Sequence, residues 1–138
     1  MADVSVDLAW AGGLRFDMAG SAGIAVQVDG DSAVAPSPME ALLGALGACA
    51  AADIVEILRK GRQDLRGLSL RLTGERRAEI PRRYVRIRVD VRIRGQVPLS
   101  RAQRAVALAF GTYCSVRATL DPSLPLETTV MVEPVGQP

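Results

Sequence analysis

Residues 37–53 read S-P-M-E-A-L-L-G-A-L-G-A-C-A-A-A-D and predict the first half of a long apolar helix. Ser37 is a favourable N-cap, Pro38 suits the first helical position, and Glu40 completes an S-x-x-E capping box. The helix is expected to run to Lys60, where basic residues favour its end. Because its first half is apolar on every side, it needs apolar cover all round. A small domain cannot supply that cover alone, so we expect a partner chain.

The remaining hydrophobic pattern predicts six strands and a second helix. Alternation of apolar and polar residues, typical of strands, recurs at 3–10, 24–28, 68–73 and 84–94, and further strands are predicted at 14–18 and 128–132. The second helix is predicted over 100–110. The order β-β-β-α-β-β-α-β gives an α+β class, and residues 1–138 are expected to form a single domain.

The composition excludes several kinds of chemistry. The chain has no histidine, which rules out Ser-His-Asp and Cys-His nucleophile pairs and the usual histidine-containing zinc sites. Its two cysteines cannot provide a four-thiolate metal site within one chain. No metal or cofactor is therefore expected, and the chemistry must use thiol, carboxylate, guanidinium or hydroxyl groups.

Charge and hydropathy predict the cellular location of the protein and the kinds of partner it has. The net charge of +2 is too small to imply nucleic-acid binding. No signal peptide is evident, and the apolar run 41–52 is shorter than the roughly 20 residues that a membrane span needs. We expect a soluble cytoplasmic protein, with no membrane or nucleic-acid partner, whose two cysteines are thiols or a redox pair.

Cys49 lies about three turns into the predicted helix, and two interpretations of it remain open. A free cysteine on a buried helix is often an inert small hydrophobe. A reactive Cys49 has to overcome Asp53, one turn later, because a nearby negative charge raises a thiol pKa. We therefore expect a guanidinium from elsewhere in the fold. The arginines of 82–94 are interpreted as a solvated sheet face, with nucleic-acid binding as the alternative.

Two motifs together resemble the OsmC/Ohr superfamily of osmotically induced and organic hydroperoxide resistance proteins, in particular its OsmC-like branch. They are P-M-E-A-L-L-G-A-L-G-A-C-A-A-A-D-I-V-E-I-L-R-K at 38–60 and Y-C-S-V-R-A-T-L at 113–120. The resemblance implies an intertwined homodimer in which antiparallel sheets wrap around two long central helices. It also implies that two active sites lie at the subunit interface.

The resemblance further implies thiol-dependent reduction of small organic hydroperoxides. Cys49 matches the peroxidatic cysteine and Cys114 the resolving cysteine, whose disulfide an external dithiol then reduces. Glu40 matches the carboxylate that orients an activating arginine, although in the branch of the superfamily with hydroperoxidase activity this carboxylate lies one residue earlier. Arg15 matches the activating arginine. The alternative is a non-catalytic protein that binds a small apolar molecule on the same dimeric scaffold.

Overall fold

The computed structural model describes residues 2–135, and it divides the chain into two compact units, Met1–Leu42 and Leu43–Pro138. Each unit contains one three-stranded sheet. The long helix α1, Pro38–Lys60, begins in the first unit and continues through the second. The expected α+β class is confirmed, and the single domain over 1–138 stays a prediction.

The first unit is an antiparallel meander of β1 (Asp7–Trp10), β2 (Arg15–Ala19) and β3 (Ala25–Asp29). Its register gathers apolar side chains on one face of the sheet, since side chains alternate along a strand. They are Leu8, Trp10, Phe16, Met18, Val26 and Val28. Trp10 is 71% exposed and Leu8 63%. A sheet face this apolar lacks cover within its own chain.

A capping box starts α1 as the sequence predicts. The backbone N–H of Glu40 donates to Ser37 Oγ at 3.1 Å, and the N–H of Ser37 donates back to Glu40 Oε1 at 3.0 Å. The loop before the helix is organised by the buried carboxylate of Asp29, which accepts from the N–H groups of Ala33 and Val34 at 3.0 Å each. These backbone hydrogen bonds, that of Val34 first, lower the pKa of Asp29.

The second unit packs one stripe of α1 and the helix α2, Leu99–Leu108, with the strand β5, Tyr84–Gln96. Along β5 the apolar positions from Ile87 to Ile93 are buried and Val85 is half-buried, while the arginines between them are exposed, as the alternation predicts. The buried β5 residues are Ile87, Val89, Val91 and Ile93, and those of α1 are Leu46, Gly47, Ala50, Ile54 and Leu58. After α2 follow a π-helical turn, Ala109–Tyr113, and the short helix α3, Ser115–Thr119.

The sheet of the second unit is mixed, which corrects the expectation of antiparallel sheets throughout. The strand β4, Asp64–Arg76, pairs antiparallel with β5 as predicted. The last strand, β6 (Leu126–Glu133), pairs with β5 in parallel. The cause is the helical connection between β5 and β6, because a crossover of this length returns the chain in its original direction.

Two arginines of the solvated β5 face are paired with carboxylates of β6. Arg86 donates to both oxygens of Glu127, at 2.7 and 2.8 Å, and Arg92 lies 3.2 Å from Glu133. The arginines of 82–94 therefore do not present an uninterrupted basic strip.

The helix α1 is buried along one stripe only within a single chain, although its first half is apolar all round. By length and composition alone it could cross a membrane, and 28% of that apolar stretch is buried in the chain. This test is also passed by core helices of soluble proteins. The bare faces carry small residues, including Gly44, Ala45, Ala48 and Ala52, all exposed.

Candidate functional site

The fold brings the two cysteines together. Cys49 lies in the middle of α1, and Cys114 is the N-cap residue of α3. Their side chains are hydrogen-bonded to each other. The Cys114 sulfur also accepts the backbone N–H of Arg117 at 3.4 Å and lies 3.9 Å from the carbonyl oxygen of Leu46, one turn before Cys49. Both cysteines are free, and no disulfide joins them.

The start of α3 stabilises the thiolate of Cys49. The pKa of this thiol is lowered, first by a hydrogen bond from the backbone N–H of Val116 and then by the Cys114 thiol and the N–H of Ser115. These groups stabilise negative charge because each presents its hydrogen to the sulfur. Within the single chain backbone amides and a thiol lower this pKa, and the expectation of a guanidinium from elsewhere in the fold stays a prediction.

Cys114 has the opposite character. It is 3% exposed, and burial is the main cause that raises its pKa. Its hydrogen bond with Cys49 acts in the same direction, because the proton is retained on Cys114 as the donor. Cys49 therefore ionises more readily than Cys114, the order that a nucleophile and its resolving partner require.

Asp53 opposes the thiolate, as its position one turn after Cys49 predicts. Its negative charge raises the pKa of Cys49, although less than the hydrogen bonds lower it. Its Oδ2 atom is buried and has no hydrogen-bond partner in the part of the chain that the structure describes. A buried carboxylate oxygen without a hydrogen bond destabilises the folded protein, unless a donor from outside the single chain reaches it.

The other two predicted site residues lie in the first unit, and each is engaged there. Glu40 accepts a hydrogen bond from Ser32 Oγ at 2.5 Å besides its capping bonds, and these contacts, that of Ser32 first, lower its pKa. Arg15 donates to the carbonyl of Ala11 at 3.3 Å and lies beside its strand partner Asp29. Their catalytic roles stay predictions.

The sequence analysis missed the functional groups of residues 115 and 116, because they are backbone N–H groups. The signal that could have found them is the segment S-V-R-A-T-L after Cys114, which forms a short helix. Cys114 accepts from Arg117, the third residue of α3, just as a serine or aspartate N-cap would.

Replacing Ser115 with proline tests the role of these amides. Proline suits the first helical position, and Cys114 before it already has the extended backbone that proline requires (φ −70°, ψ 108°). The substitution removes one N–H donor from the Cys49 sulfur. We expect Cys49 to be alkylated by iodoacetamide at pH 7 roughly two- to five-fold more slowly, because a smaller fraction is thiolate.

The control is Ser115→Ala, which removes the hydroxyl and keeps the N–H. It should alkylate at the wild-type rate. Equal slowing in both variants would show that the side chain of Ser115, and not its amide, sets the reactivity of Cys49.

A mixed fold in which two nearby cysteines have thiol pKa values shifted in opposite directions defines a two-cysteine protein of the α+β class. In residues 2–135 no cluster of three histidine, cysteine, aspartate or glutamate side chains is placed to hold a metal ion. Residues 29–129 match the family model described as OsmC-like protein. The chain belongs to this OsmC-like family, and the predicted OsmC/Ohr membership is confirmed.

Three comparisons show what the chain is similar to. It is 41% identical to Protein YhfA of Escherichia coli (strain K12) over 114 residues, 81% of this chain and 85% of YhfA. It superposes on a hypothetical protein from Aquifex aeolicus VF5 with a TM-score of 0.90 and 29% identity, covering 99% and 100% of the two chains. The organic hydroperoxide resistance protein OhrB of Bacillus subtilis shares the fold, with a TM-score of 0.62 and 11% identity over 96% and 98%.

Proposed function

We propose that the protein reduces organic hydroperoxides with Cys49 as the peroxidatic cysteine and Cys114 as the resolving cysteine. The observation that carries this proposal is the paired cysteine site, in which the N–H groups of Val116 and Ser115 lower the pKa of Cys49 and burial raises that of Cys114. An inert core cysteine needs no such donors. Membership of the OsmC-like family supports the same conclusion.

The reaction follows from this distribution of charge. The Cys49 thiolate attacks the outer oxygen of the O–O bond, the bond breaks, and the alkoxide takes up a proton and leaves as an alcohol. Cys49 is then a sulfenic acid. Cys114 loses its proton and attacks the Cys49 sulfur, expelling hydroxide, which is released as water. The resulting disulfide is reduced by an external dithiol.

The surroundings of Cys49 favour an alkyl hydroperoxide over hydrogen peroxide. Ala45 and Ala52, on the neighbouring turns of the helix, are apolar and exposed. An apolar group on the substrate gains about 25 cal/mol per Å² of surface that these residues cover. Hydrogen peroxide has no such group.

A homodimer is the assembly that the chain's bare apolar surfaces support. The first sheet exposes the face that carries Trp10 and Leu8, and α1 exposes its row of glycine and alanine. Small residues allow a second helix to approach closely. We therefore propose a cytoplasmic dimer, and sedimentation equilibrium should give twice the 14.6 kDa chain mass. A monomer at micromolar concentration would contradict it.

Counting free thiols tests the proposed reaction. The reduced protein is mixed with one equivalent of cumene hydroperoxide per chain without air, then denatured and titrated for thiols. We expect the count to fall from two to none, with Cys49 and Cys114 joined in the mapped disulfide. Two thiols that persist in excess peroxide would refute peroxidase activity and favour a protein that only binds an apolar ligand.

A further inference from the structure

A cavity of about 310 Å³ opens beside Cys114 in the second unit. Its walls include Phe110, Cys114, Arg117, Ala118, Leu120 and Pro122. Of the two cysteines, Cys114 lines this cavity and Cys49 does not. Ala118 and Pro122 are exposed, so the cavity meets solvent on this side of the buried Cys114 sulfur. The volume is at the lower end of ligand pockets and suits a small molecule or a slender arm.

A fixed positive charge forms part of the wall. The guanidinium of Arg117 donates to the carbonyl oxygens of Asp121 at 3.1 Å and Leu124 at 3.0 Å. These bonds hold the guanidinium in place, and its charge is among the causes that lower the pKa of the Asp121 carboxyl. An anion that enters the cavity is therefore attracted toward the Cys114 side.

We propose that this cavity admits the reducing thiol, and that the thiol attacks Cys114 and not Cys49. The inference rests on the proposed function, because it concerns the disulfide that the peroxide reaction leaves. In thiol–disulfide exchange the attacking, central and departing sulfurs lie close to a line. A thiolate in the cavity meets Cys114, which lines it, and Cys49 is then the leaving group.

The leaving group also favours this direction. The thiol of lower pKa departs faster, and the N–H groups of Val116 and Ser115 lower the pKa of Cys49 while burial raises that of Cys114. The N–H groups that stabilise the Cys49 thiolate before it reacts with peroxide therefore also stabilise it as the leaving group when the disulfide is reduced.

The electrons and atoms balance with one dithiol per disulfide. The first thiolate of the reductant bonds to Cys114 Sγ as the Cys49–Cys114 bond breaks, and the electron pair goes to Cys49. The second thiol of the reductant loses its proton and attacks the first reductant sulfur. Cys114 leaves and takes up a proton, and the reductant departs as a disulfide.

The test locates the mixed disulfide with a monothiol, which cannot complete the second step. The disulfide form is prepared with diamide, so it does not depend on any reaction with peroxide. It is mixed briefly with 2-mercaptoethanol, quenched with acid and N-ethylmaleimide, and digested with trypsin, which cuts after Arg104 and Arg117 and separates the two cysteine peptides. We expect mercaptoethanol on Cys114 and maleimide on Cys49.

Mercaptoethanol on Cys49, or equally on both cysteines, would overturn the proposal, as would failure of diamide to join them. None of these outcomes depends on peroxide, so the peroxidase proposal is judged separately by its own thiol count.

A pair of variants tests the cavity itself. Ala118→Leu fills it, and we expect dithiothreitol to reduce the disulfide roughly ten-fold more slowly because access to Cys114 is blocked. Thr119→Leu places the same side chain at the next exposed position, outside the cavity lining, and should stay within about two-fold of wild type. Equal rates in Ala118→Leu and wild type would overturn the proposal.

Discussion

Cys49→Ser is expected to abolish hydroperoxide turnover, with a loss of about a thousand-fold or more. A serine hydroxyl at this position is not ionised by the N–H groups of Ser115 and Val116, because its pKa lies far above that of a thiol. It therefore offers no anion to the O–O bond. The measurement is the consumption of cumene hydroperoxide with dithiothreitol as the reductant.

Cys114→Ser is the matched control, since it makes the same change of sulfur to oxygen at the second member of the pair. It keeps the Cys49 nucleophile and, in the absence of any external thiol, should consume one equivalent of peroxide per chain before it stalls as the sulfenic acid. Dimedone should label Cys49 in this variant. Sustained turnover by Cys49→Ser would contradict the assignment of the nucleophile.

Gly95→Ala is expected to cause the largest loss of stability of any single methyl addition in β4 or β5. Gly95 has φ +138°, a conformation that residues with a side chain rarely adopt, and an added Cβ would overlap the backbone carbonyl oxygen of Asp64. Neither backbone can move without breaking the pairing of β4 with β5. We expect about 3 kcal/mol of destabilisation, measured as the midpoint of urea unfolding at fixed protein concentration.

Gly67→Ala is the control in the same pair of strands. Its added methyl would lie 3.3 Å from Arg94 Cβ, and Gly67 does not have positive φ. We expect a loss of about 1 kcal/mol or less. If both variants unfold at the wild-type urea concentration, the backbone described at Gly95 is wrong.

The long helix and the central strand could be predicted because their signals are local. Ser37, Pro38 and Glu40 fix the start of α1 within one turn, and the alternation in 84–94 determines which face of β5 is buried. The parallel pairing of β6 with β5 has no such signal. It follows from the path of the connecting helices, which only the folded chain shows.

The candidate site could be predicted in part, because the sequence motifs around the two cysteines are local signals. The motifs around Cys49 and Cys114 identified both sulfurs, yet neither motif shows which groups surround them. The groups that lower the pKa of Cys49 are the backbone N–H groups of residues 115 and 116, some 66 residues away in the sequence. The residue type does not reveal such a donor, because every residue except proline has a backbone N–H. The sequence therefore suggested a guanidinium where the fold supplies amides.

The most direct test of the claim that the fold lowers the thiol pKa of Cys49 is the pH dependence of alkylation, measured separately for each cysteine. A thiol whose pKa is lowered keeps its anion as the pH falls, so the alkylation of Cys49 should be half-maximal below the ordinary thiol value of about 8.5. That of Cys114 should be half-maximal above it. In the urea-unfolded chain both should return to the ordinary value. A folded protein in which Cys49 titrates at or above that value would contradict the account.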